Sequence, residues 1–185
     1  MNRPPIIAVL VGSLRAASLN RQLALAISRL LGDRAECRII EIGTLPHYNE
    51  DEELEPSATV VGFRQSVQEA DALIFVTPEY NRSIPGVLKN AIDQGSRPKG
   101  YSVWKAKPAG ILGCSPGALG ACMAQQHLRN ILAAVDVAVM GHPEAYIQAG
   151  PALFQSNGKV SDERVKQFLS AWCDAFLRWH AQLVR

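Results

Sequence analysis

The sequence has few cysteines, little net charge and no long apolar run, and each shortage excludes a class of protein. Four cysteines are spread over 185 residues without a Cys-x-x-Cys pair, which excludes a zinc ribbon and a dithiol redox site. They are typical of the reduced thiols of a cytoplasmic protein. The net charge of +2 comes without a basic tract, so we expect no nucleic-acid partner. No stretch approaches the roughly 20 apolar residues that cross a bilayer, so we expect no membrane partner.

Familiar catalytic and nucleotide-binding motifs are also missing. The segment after the first apolar run lacks the spaced glycines of the dinucleotide fingerprint and the Gly-Lys-Ser/Thr ending of a P-loop. A Gly-x-Ser-x-Gly elbow is absent, and the four histidines show no ligand spacing. We therefore expect neither a Ser-His-Asp hydrolase nor a metal site.

What the chain does have is an alternation of apolar runs and helical patterns. Its 48% hydrophobic content over 185 residues predicts a single domain spanning residues 1–185. Short unbroken runs predict strands buried on both faces of a parallel sheet, at residues 6–11, 72–77 and 109–113, with weaker candidates at 38–42 and 136–140. Helical periodicity predicts helices at 19–31, 57–70, 85–95, 120–134 and 161–183. The predicted buried stripe of the last helix is Val165, Phe168, Leu169, Trp172, Phe176 and Trp179.

This alternation predicts an α/β fold in which a five-stranded parallel sheet lies between two layers of helices. Ligands of such folds bind beyond the carboxyl ends of the strands. The segments that follow the first, third and fourth predicted strands are residues 12–20, 78–85 and 115–120. We expect them to meet at one edge of the sheet.

The first of these segments has the composition of a phosphate site. Unpaired N–H groups in a first helical turn, together with the helix dipole, attract a dianion. Ser13, Ser18 and Asn20 add side-chain donors, and Arg15 adds a permanent charge. A terminal monophosphate fits this loop better than a pyrophosphate. The alternative is that Ser18 only caps the helix and the other polar residues form a solvated turn.

The second and third segments suit a planar ligand. Pro78 and Pro85 stiffen the second, so that the N–H groups of residues 79–81 point in fixed directions, and Tyr80 or Ile84 offers a flat wall. An ordinary strand-to-helix connection is the alternative. The third segment is rich in small residues, which allow close backbone approach. Cys114 has apolar neighbours and is interpreted as a packing residue.

Three motifs resemble the NAD(P)H-dependent FMN reductase family, a flavodoxin-like group that includes bacterial quinone and chromate reductases. They are Gly-Ser-Leu-Arg-x-x-Ser-x-Asn at 12–20, Leu-Pro-x-Tyr-Asn-Glu-Asp at 45–51 and Pro-Glu-Tyr-Asn-x-Ser-Ile-Pro-Gly-Val-Leu-Lys-Asn-Ala-Ile-Asp at 78–93. The resemblance implies strand order 2-1-3-4-5 and bound FMN, with its phosphate on the first segment, its isoalloxazine beside the second and its pocket completed by the third. The residues expected to bind FMN are Ser13, Arg15, Ser18, Leu19, Asn20, Pro78, Glu79, Tyr80, Asn81, Ile84, Ser115 and Gly117.

The resemblance also implies an activity. NAD(P)H, the co-substrate, would pass hydride to N5 of FMN, leave, and be replaced by a quinone or another small acceptor in a ping-pong cycle, so that no protein side chain is itself catalytic. A flavodoxin-type electron carrier is an alternative, although such carriers usually dock through an acidic face that a net charge of +2 disfavours. A regulatory protein that retains the pocket without turnover is another.

One loop departs from the family pattern. Where the family commonly has Gly-Gly-x-Arg-x-Gln, this chain has Met123 in place of the arginine. The substitution removes a charge and up to five donors, which bears on nucleotide preference and on assembly. The resemblance implies a homodimer or a pair of dimers, a homotetramer, with the flavin near the subunit boundary. The acidic run at 50–55 is interpreted as a solvated loop or as part of the pocket rim.

Overall fold

The computed structural model describes residues 3–155 and 157–184, which form a parallel sheet with helices on both faces. In chain order the elements are β1 (Ile6–Val11), α1 (Leu19–Leu31), β2 (Glu36–Ile40), α2 (Ala58–Gln68), β3 (Ala72–Val76), α3 (Gly86–Gly95), β4 (Pro108–Ser115), α4 (Cys122–Ala134), β5 (Ala138–Val139), β6 (Ala145–Gln148) and α5 (Glu163–Leu183). The strand order is β2-β1-β3-β4-β5, and β6 also pairs with β4. The predicted α/β architecture and strand order are confirmed.

Two hydrophobic clusters lie on opposite faces of this sheet. One joins α1 and α5 to alternate residues of β1 and β3, such as Val9 and Ile74. The other joins α2, α3 and α4 to the intervening residues, such as Leu10 and Phe75. Because successive side chains of a strand point to opposite faces, strands buried on both sides are apolar at every position, as β1 and β3 are.

The fifth sheet position differs from the prediction, because two short strands share it. β5 pairs with Pro108 and Ala109 of β4, whereas β6 pairs with residues 112–115 of the same strand. The predicted strand at 136–140 is therefore too long, and the sheet has six strands instead of five. Asp136 is in the left-handed region at φ 60°, and Pro143, just before β6, has no N–H for a ladder hydrogen bond.

The structure confirms most predicted helix ends, and it changes the predicted set of buried residues in α5. Gly32 ends α1 at φ 53°, with its N–H on the Ser28 carbonyl, as a C-terminal glycine does. In α5 the buried residues include Cys173, which the predicted stripe omitted. The prediction that Phe168 belongs to the buried stripe is wrong, because its side chain is 39% exposed.

None of the helices in residues 3–155 and 157–184 is both long enough and apolar enough to cross a membrane.

Candidate functional site

The three segments singled out in the sequence lie side by side at the carboxyl edge of the sheet. Val11, at the end of β1, is in register with Val76 of β3, which is in register with Leu112 of β4. The Gly12 N–H donates to the Val76 carbonyl at 2.9 Å, and the Thr77 N–H donates to the Leu112 carbonyl at 3.0 Å. Adjacent strands therefore place their following loops together, and the predicted convergence is confirmed.

The three segments are called the first loop (residues 12–20), the second loop (78–85) and the third loop (115–120). The first loop has a series of backbone N–H donors. Among the residues that the structure describes, the N–H groups of residues 13–17 have no hydrogen-bond acceptor. The hydroxyl of Ser18 accepts the Arg21 N–H at 3.1 Å and so caps α1, whose first residue is Leu19. Capping accounts for Ser18 alone, whereas the unpaired N–H groups and the buried Ser13 hydroxyl are suited to an anion.

Arg15 extends from this loop beside a cavity of about 240 Å³. The cavity lies between residues 13–16 and the end of β2, and Arg21 and Glu41 line its far side. Arg21 pairs with Glu41 at 3.1 Å, whereas Arg15 forms no ion pair with any residue in the described part of the chain. Arg15 is therefore the cation available to an anion on this loop.

Asn20 points away from solvent and joins the first loop to the third. Its Nδ2 donates to the Cys114 carbonyl and its Oδ1 accepts the Cys114 N–H, each at 3.0 Å. The side chain is thus engaged at both ends by one peptide of β4. Cys114 is buried, and burial raises the pKa of its thiol to about 12, so its interpretation as a packing residue is confirmed.

The second loop contains a tight turn. Tyr80 and Ser83 exchange two backbone hydrogen bonds of 3.0 Å, and between them Asn81 and Arg82 have φ values of 52° and 64°. Two successive positive φ values are those of a type I′ turn. The Tyr80 N–H is committed to this turn, which corrects the expectation that it faces a ligand. The N–H groups of residues 79 and 81 have no acceptor among the described residues.

Two side chains of the second loop contact α4. The Glu79 carboxylate accepts the N–H groups of Met123 and Ala124 at 3.0 and 3.1 Å, and thereby caps a helix whose own N-cap, Ala121, has no capping side chain. Ser83 Oγ lies 2.7 Å from His127 Nδ1. The loop is therefore fastened to α4 on both sides of its turn.

The apolar residues of the second loop divide between core and surface. Pro78 is buried, and its ring approaches Gly12, where a Cβ would lie 3.4 Å from its Cδ. Ile84 is buried in the cluster of α2, α3 and α4. Tyr80 is 48% exposed, which makes it the more accessible of the two side chains predicted to form a flat wall.

The third loop lies close to the second and rests on β6. A Cβ at Gly113, in β4 just before the third loop, would lie 2.3 Å from the carbonyl oxygen of Thr77, just before the second loop, so the backbones that lead into the two loops are in direct contact. The Ser115 hydroxyl donates to the Gly117 carbonyl at 3.1 Å. Gln148 Nε2 donates to the Pro116 carbonyl at 3.2 Å. Gly113 thus lets β4 approach the second loop closely, and the expected approach of the third loop to a ring remains a prediction.

The segment at 45–51 is anchored to α3. The Tyr48 N–H donates to Asn90 Oδ1 at 2.8 Å, and Asn90 Nδ2 donates to the Pro46 carbonyl at 2.9 Å. The phenol of Tyr48 donates to Glu53. The acidic residues 50–52 form an exposed turn of 3-10 helix. The motif at 45–51 therefore contacts α3, and most of that helix belongs to the third motif, at residues 78–93.

The arrangement fits a mononucleotide with a planar head. A phosphate would meet the unpaired N–H groups, Ser13 and Arg15 at the start of α1, and a flat ring would meet the N–H groups of residues 79 and 81 and the close backbone of the third loop. FMN combines these two parts. The contacts of the individual residues with FMN remain predictions.

Two contacts of the site were missed by reasoning from the sequence. The carboxylate of Glu79 and the ring of His127 both act across 44 residues of chain. Local periodicity carries no signal for such distances. The one available hint was that α4 lacks a Ser, Thr, Asp or Asn before its first residue, which calls for a cap from elsewhere.

Comparison with known proteins agrees with this geometry. A family model described as NADPH-dependent FMN reductase matches residues 5–152. A quinone reductase of Pseudomonas putida is 48% identical over 174 residues, covering 94% of this chain and 93% of that protein. A 2-hydroxy-1,4-benzoquinone reductase of a Burkholderia species is 43% identical over 173 residues, covering 94% of both.

Solved structures include one that is similar over nearly the whole chain. FerB of Paracoccus denitrificans, described as a flavoenzyme NAD(P)H:(acceptor) oxidoreductase, has a TM-score of 0.93 and 43% identity, covering 96% of this chain and 98% of FerB. The loops that gather at the sheet edge, the family model and these relatives lead to one conclusion: the chain belongs to the NADPH-dependent FMN reductase family.

Proposed function

We propose that this protein is an FMN-dependent oxidoreductase that takes reducing equivalents from NAD(P)H and passes them to quinones or other small acceptors in a ping-pong cycle. The observation that carries the proposal is the row of unpaired N–H groups at residues 13–17, beside Arg15 and at the start of α1. Unpaired N–H groups at the start of a helix favour the binding of a phosphate.

The residues of the chain bind and orient, and FMN when bound supplies hydride acceptance and donation. The first loop would hold the phosphate by its N–H groups, by Ser13 and by Arg15. The turn of the second loop would direct the N–H groups of residues 79 and 81 toward the ring edge, where negative charge accumulates on reduction. Tyr80, which is 48% exposed, would shield one ring face.

The acceptor class is proposed from the relatives. Proteins that are 48% and 43% identical to this chain are described as quinone reductases, and FerB is described more broadly as acting on an acceptor. A quinone is a flat, small oxidant, which suits an open site beside a ring.

We further propose that the protein is a cytoplasmic homodimer, or a homotetramer made of two dimers. Support comes from apolar side chains left exposed beside the site, where Leu119 is 60% and Met123 39% accessible. Contiguous exposed apolar groups are typical of association surfaces, and these two residues are four positions apart in the chain. Sedimentation of the purified protein, with and without FMN, measures the state.

The deciding experiment titrates ligand-free protein with FMN and with riboflavin, which lacks the phosphate. FMN should bind at least about tenfold tighter, because hydrogen bonds to a charged group are strong. Stopped-flow mixing of the loaded protein with NADPH and with NADH then measures bleaching of the flavin absorbance. Equal affinity for riboflavin and FMN would contradict the phosphate site, and no bleaching would contradict the oxidoreductase.

The two-stage order is tested by steady-state kinetics. Initial rates measured against NAD(P)H at several fixed quinone concentrations should give parallel double-reciprocal lines, because the first product leaves before the quinone binds. Intersecting lines would show that both substrates occupy the protein together and would end the ping-pong proposal.

A further inference from the structure

The turn at residues 80–83 is held in an unfavourable backbone conformation. Asn81 and Arg82 are both left-handed, at φ 52° and 64°. Asparagine tolerates this region, but an arginine there is disfavoured, because its Cβ approaches the following carbonyl oxygen in left-handed backbone. Glycine is the usual residue at the second central position of a type I′ turn. Strain of this kind persists only where surrounding contacts fix the conformation.

The surrounding contacts come from α4, one on each side of the turn. Before the turn, Glu79 accepts the N–H groups of Met123 and Ala124 in the first turn of α4, and this contact is already explained because it caps the helix. After the turn, Ser83 meets His127 at 2.7 Å. His127 lies beyond the first turn of α4 and is exposed, so the helix itself gains nothing from this hydrogen bond.

We propose that His127 is a positioning residue for the reaction, acting through Ser83. Its Nδ1 accepts a hydrogen bond from the Ser83 hydroxyl while Nε2 carries the ring proton. This bond fixes Ser83, whose backbone closes the strained turn through its two hydrogen bonds with Tyr80. The turn in its proper shape directs the N–H groups of residues 79 and 81. The inference rests on the proposed function, since it assumes that FMN lies against this turn.

Four variants and a matched control test the inference. Ser83→Ala and His127→Ala remove the hydrogen bond, and the double variant removes both partners. His127→Asn keeps an acceptor near the position of Nδ1. Asn130→Ala is the control, since Asn130 is exposed one turn further along α4 and makes no side-chain hydrogen bond within the described residues.

With FMN bound, Ser83→Ala and His127→Ala should slow flavin reduction by NADPH about two- to tenfold, the range produced by losing one hydrogen bond. They should also shift the visible absorption maxima of the bound flavin. The double variant should be no slower than the single ones, because all three lose the same bond. His127→Asn should recover much of the rate, and Asn130→Ala should leave both readouts unchanged.

A measurement on the ligand-free protein makes the test independent of activity. At pH 8 the nitrogen NMR signals of the His127 ring should show an unprotonated Nδ1, and Ser83→Ala should shift that signal. Single-variant losses that add in the double variant, or an Nδ1 that carries the proton, would overturn the inference. If wild-type protein fails to bind FMN, the proposed function falls instead, and the NMR result still decides whether His127 holds Ser83.

Discussion

Two glycines of the site are required by the space around them, and for different reasons. At Gly113 a Cβ would lie 2.3 Å from the Thr77 carbonyl oxygen, which belongs to a buried strand end and cannot retreat. At Gly120 the backbone has φ 54°, and a Cβ would lie 2.5 Å from the backbone of residues 146 and 147. Both positions allow a close backbone approach beside the candidate site, at Gly113 between β4 and the end of β3 and at Gly120 between the third loop and β6.

We expect Gly113→Ala to lower the free energy of unfolding by about 1–3 kcal/mol, because the added methyl forces two adjacent strand ends apart. Gly117→Ala is the matched control in the same loop, since its Cβ would find only Ser115 Oγ, at 3.7 Å. Urea denaturation of the ligand-free proteins measures both. Equal losses for the two variants would contradict the close contact of β3 and β4.

Arg15→Ala should weaken FMN binding about ten- to hundredfold, the loss that follows removal of a charged hydrogen-bonding partner. Riboflavin binding should change little, because riboflavin has no phosphate for Arg15 to contact. Arg21→Ala is the control, since Arg21 is occupied by Glu41 at 3.1 Å. Fluorescence titration gives the dissociation constants, and an equal loss of riboflavin affinity would place Arg15 away from the phosphate.

Reasoning from the sequence succeeded at single residues where the cause is local. Ser18 precedes a helical pattern, and its capping hydrogen bond to Arg21 follows from that position alone. Asn20 stands two residues later, yet its partner, Cys114, is 94 residues away. A polar side chain near a helix start is suited equally to a ligand and to a distant backbone, and only the tertiary structure distinguishes them.

Among the elements, α4 shows most clearly how one segment completes another. Its N-cap residue, Ala121, is left-handed at φ 65° and has no capping side chain, and Glu79 of the second loop takes that role. The helix end and the loop therefore depend on each other for their order. The same dependence makes the loop rigid where the proposed ring contacts lie.

Glu79→Ala should lower the free energy of unfolding by about 1–2 kcal/mol, the cost of losing a helix cap with a favourable charge at the dipole. Glu79→Gln should retain part of that stability, because an amide oxygen still accepts the two N–H groups. Glu55→Ala is the control, as Glu55 is an exposed acid in the loop before α2. Thermal or urea unfolding of all three variants shows whether the negative charge of Glu79, its hydrogen-bond acceptor or neither contributes to the free energy of unfolding.

Elements with strong periodicity were predictable, and the interrupted edge of the sheet was not. β1 at 6–11 and β3 at 72–76 are apolar at every position, which only a doubly covered strand requires. β5 has two residues and β6 four, so neither offers enough length for a periodic signal. Their pairing with successive halves of β4 depends on the chain leaving the sheet at 140–144, which no local pattern indicates.

Over the whole molecule, the sheet separates a binding edge from an opposite edge that carries a half-buried histidine. His180, in the last turn of α5, is half-buried, and burial lowers the pKa of its imidazole while the charge of Asp71 opposes that shift less strongly. Protonation is therefore less favourable in the folded protein than in the unfolded chain. The resulting pH sensitivity belongs to the packing of α5 and not to the site.

Stability should fall as the pH is lowered from about 7 through the ordinary histidine pKa near 6.5, since the unfolded chain then binds a proton that the folded protein resists. His180→Gln should flatten this decline between pH 7.5 and 5.5. His47→Gln is the control, because His47 is exposed. Denaturation midpoints measured across this range test the expectation, and identical slopes for wild type and His180→Gln would contradict it.

The hydrogen bonds between Asn20 and β4 have a consequence for how related sequences diverge. Both bonds end on backbone atoms of residue 114, so the side chain at that position is free to change among descendants. Position 20 has no such freedom, because no other residue offers an acceptor and a donor at the same reach. We therefore expect related sequences to conserve asparagine at position 20 and to vary among small side chains at position 114.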